Sequence, residues 1–233
     1  MHDCLWTVCA DGLFLQSSDN SNSVLVQVVF RTRGFRRFQA DKELKLGVKA
    51  KSFHEALKHV NKDYSLILKC DDNSDDISLH TFCTNGGPSA TFDLHLIDFD
   101  RDEVEIPIFD VSCKVSMPTS CFVDVCKQFS TVGDTVTISV KSDFILFESD
   151  GNCESGRIKV ANYSDIRFPS DSINIDVVKQ LQQTYSTCYF RRLLKIAPLA
   201  NRVDIHIVEE LPIAVVFQID EYSALKTFIA PRL

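Results

Sequence analysis

Asp71, Asn73 and Asp75 fall at alternate positions of CDDNSDD (70–76), the spacing at which a calcium loop presents oxygen ligands. The register then fails. The sixth position is Asp76 where the loop needs Gly, and the twelfth is Phe82 where it needs a bidentate Glu. A solvated hairpin turn explains the same residues. Gly86-Gly87-Pro88 is not followed by Lys-Ser or Lys-Thr, so it does not cradle phosphate as a P-loop does. The histidines at 2, 54, 59, 80, 95 and 206 form no HExxH pair and no triad-like signature. Nine cysteines are scattered with no CxxC pair and no His at zinc spacing. They read as reduced, mostly buried thiols. No catalytic group, metal or cofactor is expected, and the chain reads as a binding protein rather than an enzyme.

The elements that would carry a binding surface are mostly strands. The chain has 233 residues, 45% hydrophobic and 24% charged, enough for two globular units. Its net charge of −7 argues against a protein that coats nucleic acid on all sides. It permits one whose basic residues all face one way. No apolar run reaches the ~18 residues of a membrane span, and MHDCLWTVCADG lacks the basic start of a signal peptide. Segments 24–30, 64–70, 76–82, 112–117, 134–140, 143–149, 156–161, 202–208 and 213–219 are rich in β-branched and aromatic residues, several alternating with period two. Helices are expected over 52–60, with Ser52 and Glu55 as a capping box, over 119–130, and over 187–197.

The order of elements repeats. DCLWTVCADGLFLQSSD (3–19) lies over DTVTISVKSDFILFESD (134–150) without a gap, each a strand, a turn, a strand and an acidic end. Later in each half a helix precedes a hairpin. The chain therefore divides into a first unit at 1–96, a connector at 97–110 and a second unit at 111–233. The second unit has a strand and helix, Ser112 to about Ser130, ahead of its first shared strand, and the first unit has no counterpart. That unit is expected to show an unpaired strand edge and an uncovered patch of sheet. The connector HLIDFDRDEVEIPI (95–108) alternates Val104, Ile106 and Ile108 with charge, which suits either a strap pinned to its own domains or the wall of a groove.

Beyond the repeat, SSDNSNSVLVQVVFRTRGF (17–35), LKCDDNSDD (68–76), LIDFDRDEVEIPIFDVSCKVSMP (96–118), VGDTVTISVKSDFILFESDG (132–151) and APLANRVDIHIVEELPIAVVFQIDEYSALKTFIAPRL (197–233) resemble the eukaryotic DNA sliding clamps, the proliferating cell nuclear antigen family. The likeness covers essentially the whole chain, which begins about 20 residues late relative to that family. It implies an α+β DNA clamp fold: two similar β-rich units, short helices lining a pore, antiparallel sheets outside. It implies a nuclear homotrimer that encircles duplex DNA without sequence preference and acts as a polymerase processivity factor. It also implies partners that carry a short hydrophobic docking motif, among them polymerase, clamp loader and repair proteins, and no membrane. The positions that match DNA-facing ones are Lys58, Lys127, Arg191 and Lys195, while Glu55 and Asp124 stand where positive charge is usual. The partner groove would be formed by Asn22, Leu25, Val104, Ile106, Pro107, Pro212, Ala230, Pro231 and Leu233. Subunits would join through edges at about 91–96 and 157–162. The alternative is a divergent or truncated paralogue that works in a mixed or checkpoint-type ring, or does not close a ring.

Overall fold

The computed structural model describes residues 3–58, 60–71, 74–99, 104, 106, 110–164, 167 and 169–232. In chain order the elements are β1 (Asp3–Cys9), β2 (Gly12–Ser18), β3 (Val24–Arg31), β4 (Leu44–Lys49), α1 (Ala50–Leu57), β5 (Tyr64–Lys69), β6 (Asp76–Cys83) and β7 (Ser89–His95). There follow β8 (Cys113–Pro118), α2 (Thr119–Val132), β9 (Thr135–Lys141), β10 (Phe144–Asp150), β11 (Ser155–Ala161), β12 (Asn174–Val177), β13 (Leu181–Ser186), α3 (Thr187–Leu193), β14 (Arg202–Ile207), β15 (Ile213–Gln218) and β16 (Ser223–Ile229). Every named pairing is antiparallel. The chain forms two compact units, one of residues 1–17 and 31–105, the other of 18–30 and 106–233. Segment 18–30, which a linear division places in the first half, joins the second unit because β3 pairs along its length with β16, Val24 opposite Ile229 and Phe30 opposite Ser223.

In the first unit β1 lies between β2 and β4, and β6 lies between β5 and β7. Alternation decides which side chains go inward: Leu5, Leu46, Val48, Ile77 and Leu79 are buried. Trp6, 2% exposed, meets Phe53 of α1 edge-on at 4.7 Å between ring centroids. The expected capping box does not form. β4 runs directly into α1, which begins at Ala50 with Lys49 as an extended N-cap and no side-chain cap. Ser52 lies one turn too deep to cap it, and Glu55 pairs with Lys58 instead.

The second unit holds a six-strand run, β12-β8-β14-β15-β16-β3, and a four-strand sheet, β11-β10-β9-β13. Its core is aromatic. Phe129 of α2 stacks on Phe147 at 5.9 Å and meets Phe190 of α3 edge-on at 5.5 Å, while Phe122 meets Phe217 at 6.0 Å. The two helices are tied end to start. The Thr187 hydroxyl donates to the Gly133 carbonyl at 2.9 Å, and the Thr187 N–H donates to the Asp134 carbonyl at 3.0 Å. α3 is shorter than its apolar pattern suggests: it ends at Leu193, and a 3-10 turn over Ala197–Leu199 containing Pro198 takes the chain onward.

The repeat is visible from β1–β2 over β9–β10 onward, but among the described residues β8, α2 and β12 have no counterpart in the first half. In the second unit β14 is paired on both sides, by β15 and β8. Its counterpart β5 pairs only with β6 among the described residues. Leu66 and Ile67 of β5 are 38% and 41% exposed, so that edge is both unpaired and apolar.

Candidate functional site

Among the open strand edges are those of β7 and β11. β7 pairs only with β6, and β11 only with β10, among the described residues. Along β7 every residue is exposed except Leu94, which is half-buried. Phe92 and Leu94 stand opposite Leu79 and Ile77, both buried, so they belong to the inward row. In β11, Ile158 and Val160 stand opposite Phe147 and Ile145 and are inward in the same way. Asp93 and Arg157 point to the outer row of their strands. Arg157 Nε donates to Glu148 at 2.8 Å, and Asp93 accepts from Ser78 Oγ.

The connector is held by the first unit at two points. The Ile97 N–H donates to the Gly47 carbonyl at 2.9 Å, and Gly47 is required there, since a Cβ would lie 2.1 Å from the Ile97 carbonyl oxygen. Farther on, the buried Gln16 clasps Val104. Its Oε1 accepts the Val104 N–H at 2.7 Å, and its Nε2 donates to the Val104 carbonyl at 2.9 Å. The backbone is pinned while the Val104 side chain stays 51% exposed. Sequence reasoning missed Gln16, since its partner is 88 positions away. Ile106 is half-buried, and Pro107 lies outside the described residues.

Within the second unit three stretches meet at one end of β15, β16 and β3. Ile213 pairs with Ile229, and Ile229 pairs with Val24, so Pro212, Ala230 and Asn22–Leu25 become neighbours. The Ala230 N–H donates to the Ser23 carbonyl at 2.8 Å, and the Arg232 N–H donates to the Thr184 carbonyl at 2.7 Å, which fixes Pro231 between them. Leu25, Phe228 and Ala214 form one cross-strand row, an apolar row in which the sequence had singled out only Leu25. Asn22 takes a left-handed φ of 52° in a turn organised by Asp19, whose carboxylate accepts from Ser21, Ser23, Val24 and Tyr189. Burial alone would raise the Asp19 pKa, but these bonds outweigh it and hold the carboxyl below its usual value. Pro212 is exposed, and Leu233 lies outside the described residues.

The helices present charge outward. α2 buries Phe122, Val125, Cys126 and Phe129 and leaves Asp124 and Lys127 exposed. α3 buries Phe190 and Leu193 and exposes Arg191 and Arg192, with Lys195 exposed just beyond. Arg192, which sequence reasoning passed over, lies 5.5 Å above the Tyr189 ring. In α1, Lys58 is exposed but shared with Glu55 at 3.7 Å, and the exposed Lys51 adds a further cation. These side chains can meet phosphate; they are not arranged around a reacting atom. Burial pushes the Cys113 thiol up to about 11 and the Cys126 thiol higher, so both stay protonated at neutral pH.

Two family models divide the chain between them. Residues 1–105 match proliferating cell nuclear antigen, N-terminal domain, and residues 105–232 match proliferating cell nuclear antigen, C-terminal domain. The chain belongs to the proliferating cell nuclear antigen family. Its mostly antiparallel sheets with three short helices are the α+β architecture of the DNA sliding clamps. Members of this family are DNA-associated scaffolds rather than enzymes.

Proposed function

We propose that this chain is a processivity clamp: three copies join head to tail into a closed ring around duplex DNA in the nucleus, and polymerase, clamp loader and repair proteins dock on it through short hydrophobic motifs. The observation that carries the reading is the pair of open edges, β7 and β11, whose counterparts in the repeat are already paired with each other. Asp3 lies over Asp134, so 24–30 of β3 lies over 155–161 of β11; likewise β7, the last strand of its half, lies over β16. The β16–β3 register then predicts the intermolecular one. Ser89 meets Ala161 and His95 meets Ser155 of the next copy. Phe92 falls opposite Ile158, inward row on inward row, and Asp93 falls opposite Arg157. A strand edge that finds its complement on an identical chain closes a ring, where an edge that did not close would build a filament.

In this reading 97–110 is the interdomain connector. By the family resemblance, the residues that take the docking motif are Val104, Ile106 and Pro107 of the connector together with Asn22, Leu25, Pro212, Ala230, Pro231 and Leu233. Lys58, Lys127, Arg191 and Lys195 face the duplex, whose recognition is by phosphate and therefore blind to sequence. The Glu55–Lys58 pair and the exposed Asp124 weaken that attraction, and enclosure supplies what the charge does not.

Light scattering across a dilution series tests the reading. Asp93→Arg sets like charges directly opposite at every junction, and such pairs are destabilising on the scale of about 0.2–1 kcal/mol each. Wild type is expected as a trimer, each of Asp93→Arg and Arg157→Asp as a species shifted toward monomer, and the double variant as a trimer again. A monomeric wild type, or single variants as trimeric as wild type, overturns the self-assembled ring; the first of these turns attention to a mixed ring with another clamp subunit.

A further inference from the structure

The segment that follows β3 concentrates positive charge in an acidic chain. Residues 31–42 carry Arg31, Arg33, Arg36, Arg37 and Lys42 against a single acid, Asp41, while the whole chain has a net charge of −7. The four arginines are exposed, and none of the four forms an ion pair among the described residues. Asp41 lies nearby, yet its carboxylate accepts from Gln39 Nε2 at 3.2 Å instead. The backbone is held in place. The Thr32 N–H donates to the Asp11 carbonyl at 3.3 Å, and a 3-10 turn closes with the Phe35 N–H on the Thr32 carbonyl at 3.1 Å. Half-buried Phe35 and Phe38, with ring centroids 5.1 Å apart, alternate with the arginines, and Arg31 lies 5.4 Å above the Phe14 ring. A fixed cluster of like charges works against its own fold, and among the described residues no acid pairs with any of the four arginines.

We infer that Arg33, Arg36 and Arg37, steadied by the Phe35–Phe38 pair, form a second polyanion contact that takes the phosphate backbone of nucleic acid. Guanidinium groups match phosphate with paired N–H donors, which lysine cannot do. Arginines set among aromatic rings suit a sequence-blind strand contact. A carboxylate also accepts paired N–H donors from a guanidinium, so an acidic peptide is the competitor that the test has to separate. The segment is separate from the cations of α1. It sits by the Asp11 turn, at the Val8–Leu44 end of the β1–β4 pair, whereas α1 leaves from the opposite end, where Asp3 pairs with Lys49. A seven-residue strand separates the two ends by roughly 20 Å. One stretch of backbone at the arginines is therefore not the stretch that α1 meets.

A DNA dumbbell, a duplex closed by a hairpin loop at each end, tests this contact apart from any ring, because a closed ring cannot thread it. Fluorescence anisotropy on the labelled dumbbell would be followed through a salt series. Wild type is expected to bind at low salt, and Arg33→Gln/Arg36→Gln/Arg37→Gln to bind at least about tenfold more weakly, with a slope of log K against log salt smaller by about 2–3, close to one for each phosphate that the variant no longer neutralises. A Lys62→Gln/Lys69→Gln/Lys141→Gln variant, which removes the same charge at exposed lysines outside this segment, is expected to bind the dumbbell as wild type does. Coincident circular-dichroism melts would establish that the arginine variant is folded, and light scattering on the same samples reads ring assembly independently. Equal affinity and slope for wild type and the arginine variant would overturn the inference. So would displacement of the dumbbell by poly-glutamate at equal charge concentration, which would assign the patch to acidic protein segments.

Discussion

Replacing Gln16 by Leu should release one point of the connector and leave the other in place. Gln16 is 7% exposed, and both ends of its amide are spent on Val104, at 2.7 Å to the N–H and 2.9 Å to the carbonyl. Leu fills similar volume and offers neither bond. Each hydrogen bond of this type contributes a net of about 0.5–1.5 kcal/mol, so the clasp contributes about 1–3 kcal/mol to keeping Val104 closed. That energy corresponds to about a 5- to 150-fold change in the local opening equilibrium. Native-state hydrogen exchange reads it directly, because the Val104 amide is the donor in question. Its protection should fall by that factor in Gln16→Leu. The Ile97 amide, whose acceptor is the backbone carbonyl of Gly47, should keep its protection. Equal loss at Val104 and Ile97 would mean that the connector opens as one body, and an unchanged rate at Val104 would mean that the clasp does not hold it. Either result refutes the reasoning.

Phe129→Ala removes a side chain that is 1% exposed and touches both Phe147 and Phe190. It should cost about 3–5 kcal/mol of stability in urea unfolding, and a cost below about 1 kcal/mol would show that the seam between α2 and α3 is not packed as described. His206 should make stability pH-dependent. Burial first, then repulsion from Lys114, lower its pKa below 6.5, with attraction from Asp204 offsetting part and Lys226 adding to the repulsion. The folded state thus binds the proton less readily than the unfolded chain, so the stability is present above pH 6.5 and is lost as pH falls through that value toward the lower folded pKa. His206→Gln should flatten the fall in urea midpoint between about pH 7 and about pH 5.5, and an unchanged profile would place the titration elsewhere.

The pattern of strands, the repeat of 3–19 over 134–150, and the apolar face of α2 at Phe122, Val125, Cys126 and Phe129 were legible in the sequence, because each is set by residues close together along the chain. Local chemistry also misled. Ser52 and Glu55 have the spacing of a cap, but β4 enters the helix two residues earlier and leaves Ser52 inside it. The tertiary structure decided which strands became neighbours. β3 lies nearly two hundred residues from β16 in the chain, yet the pairing takes 18–30 into the second unit and brings Asn22 and Leu25 beside Ala230. It also decided that Gln16 holds Val104, that Gly47 lets Ile97 approach, and that β7 and β11 are open on one side among the described residues. Periodicity tells which face of an element is apolar; it carries no record of which distant backbone will satisfy an element's hydrogen bonds. That partner is chosen only when the chain closes on itself, and the edges and clasps on which the clamp reading depends are made by that choice.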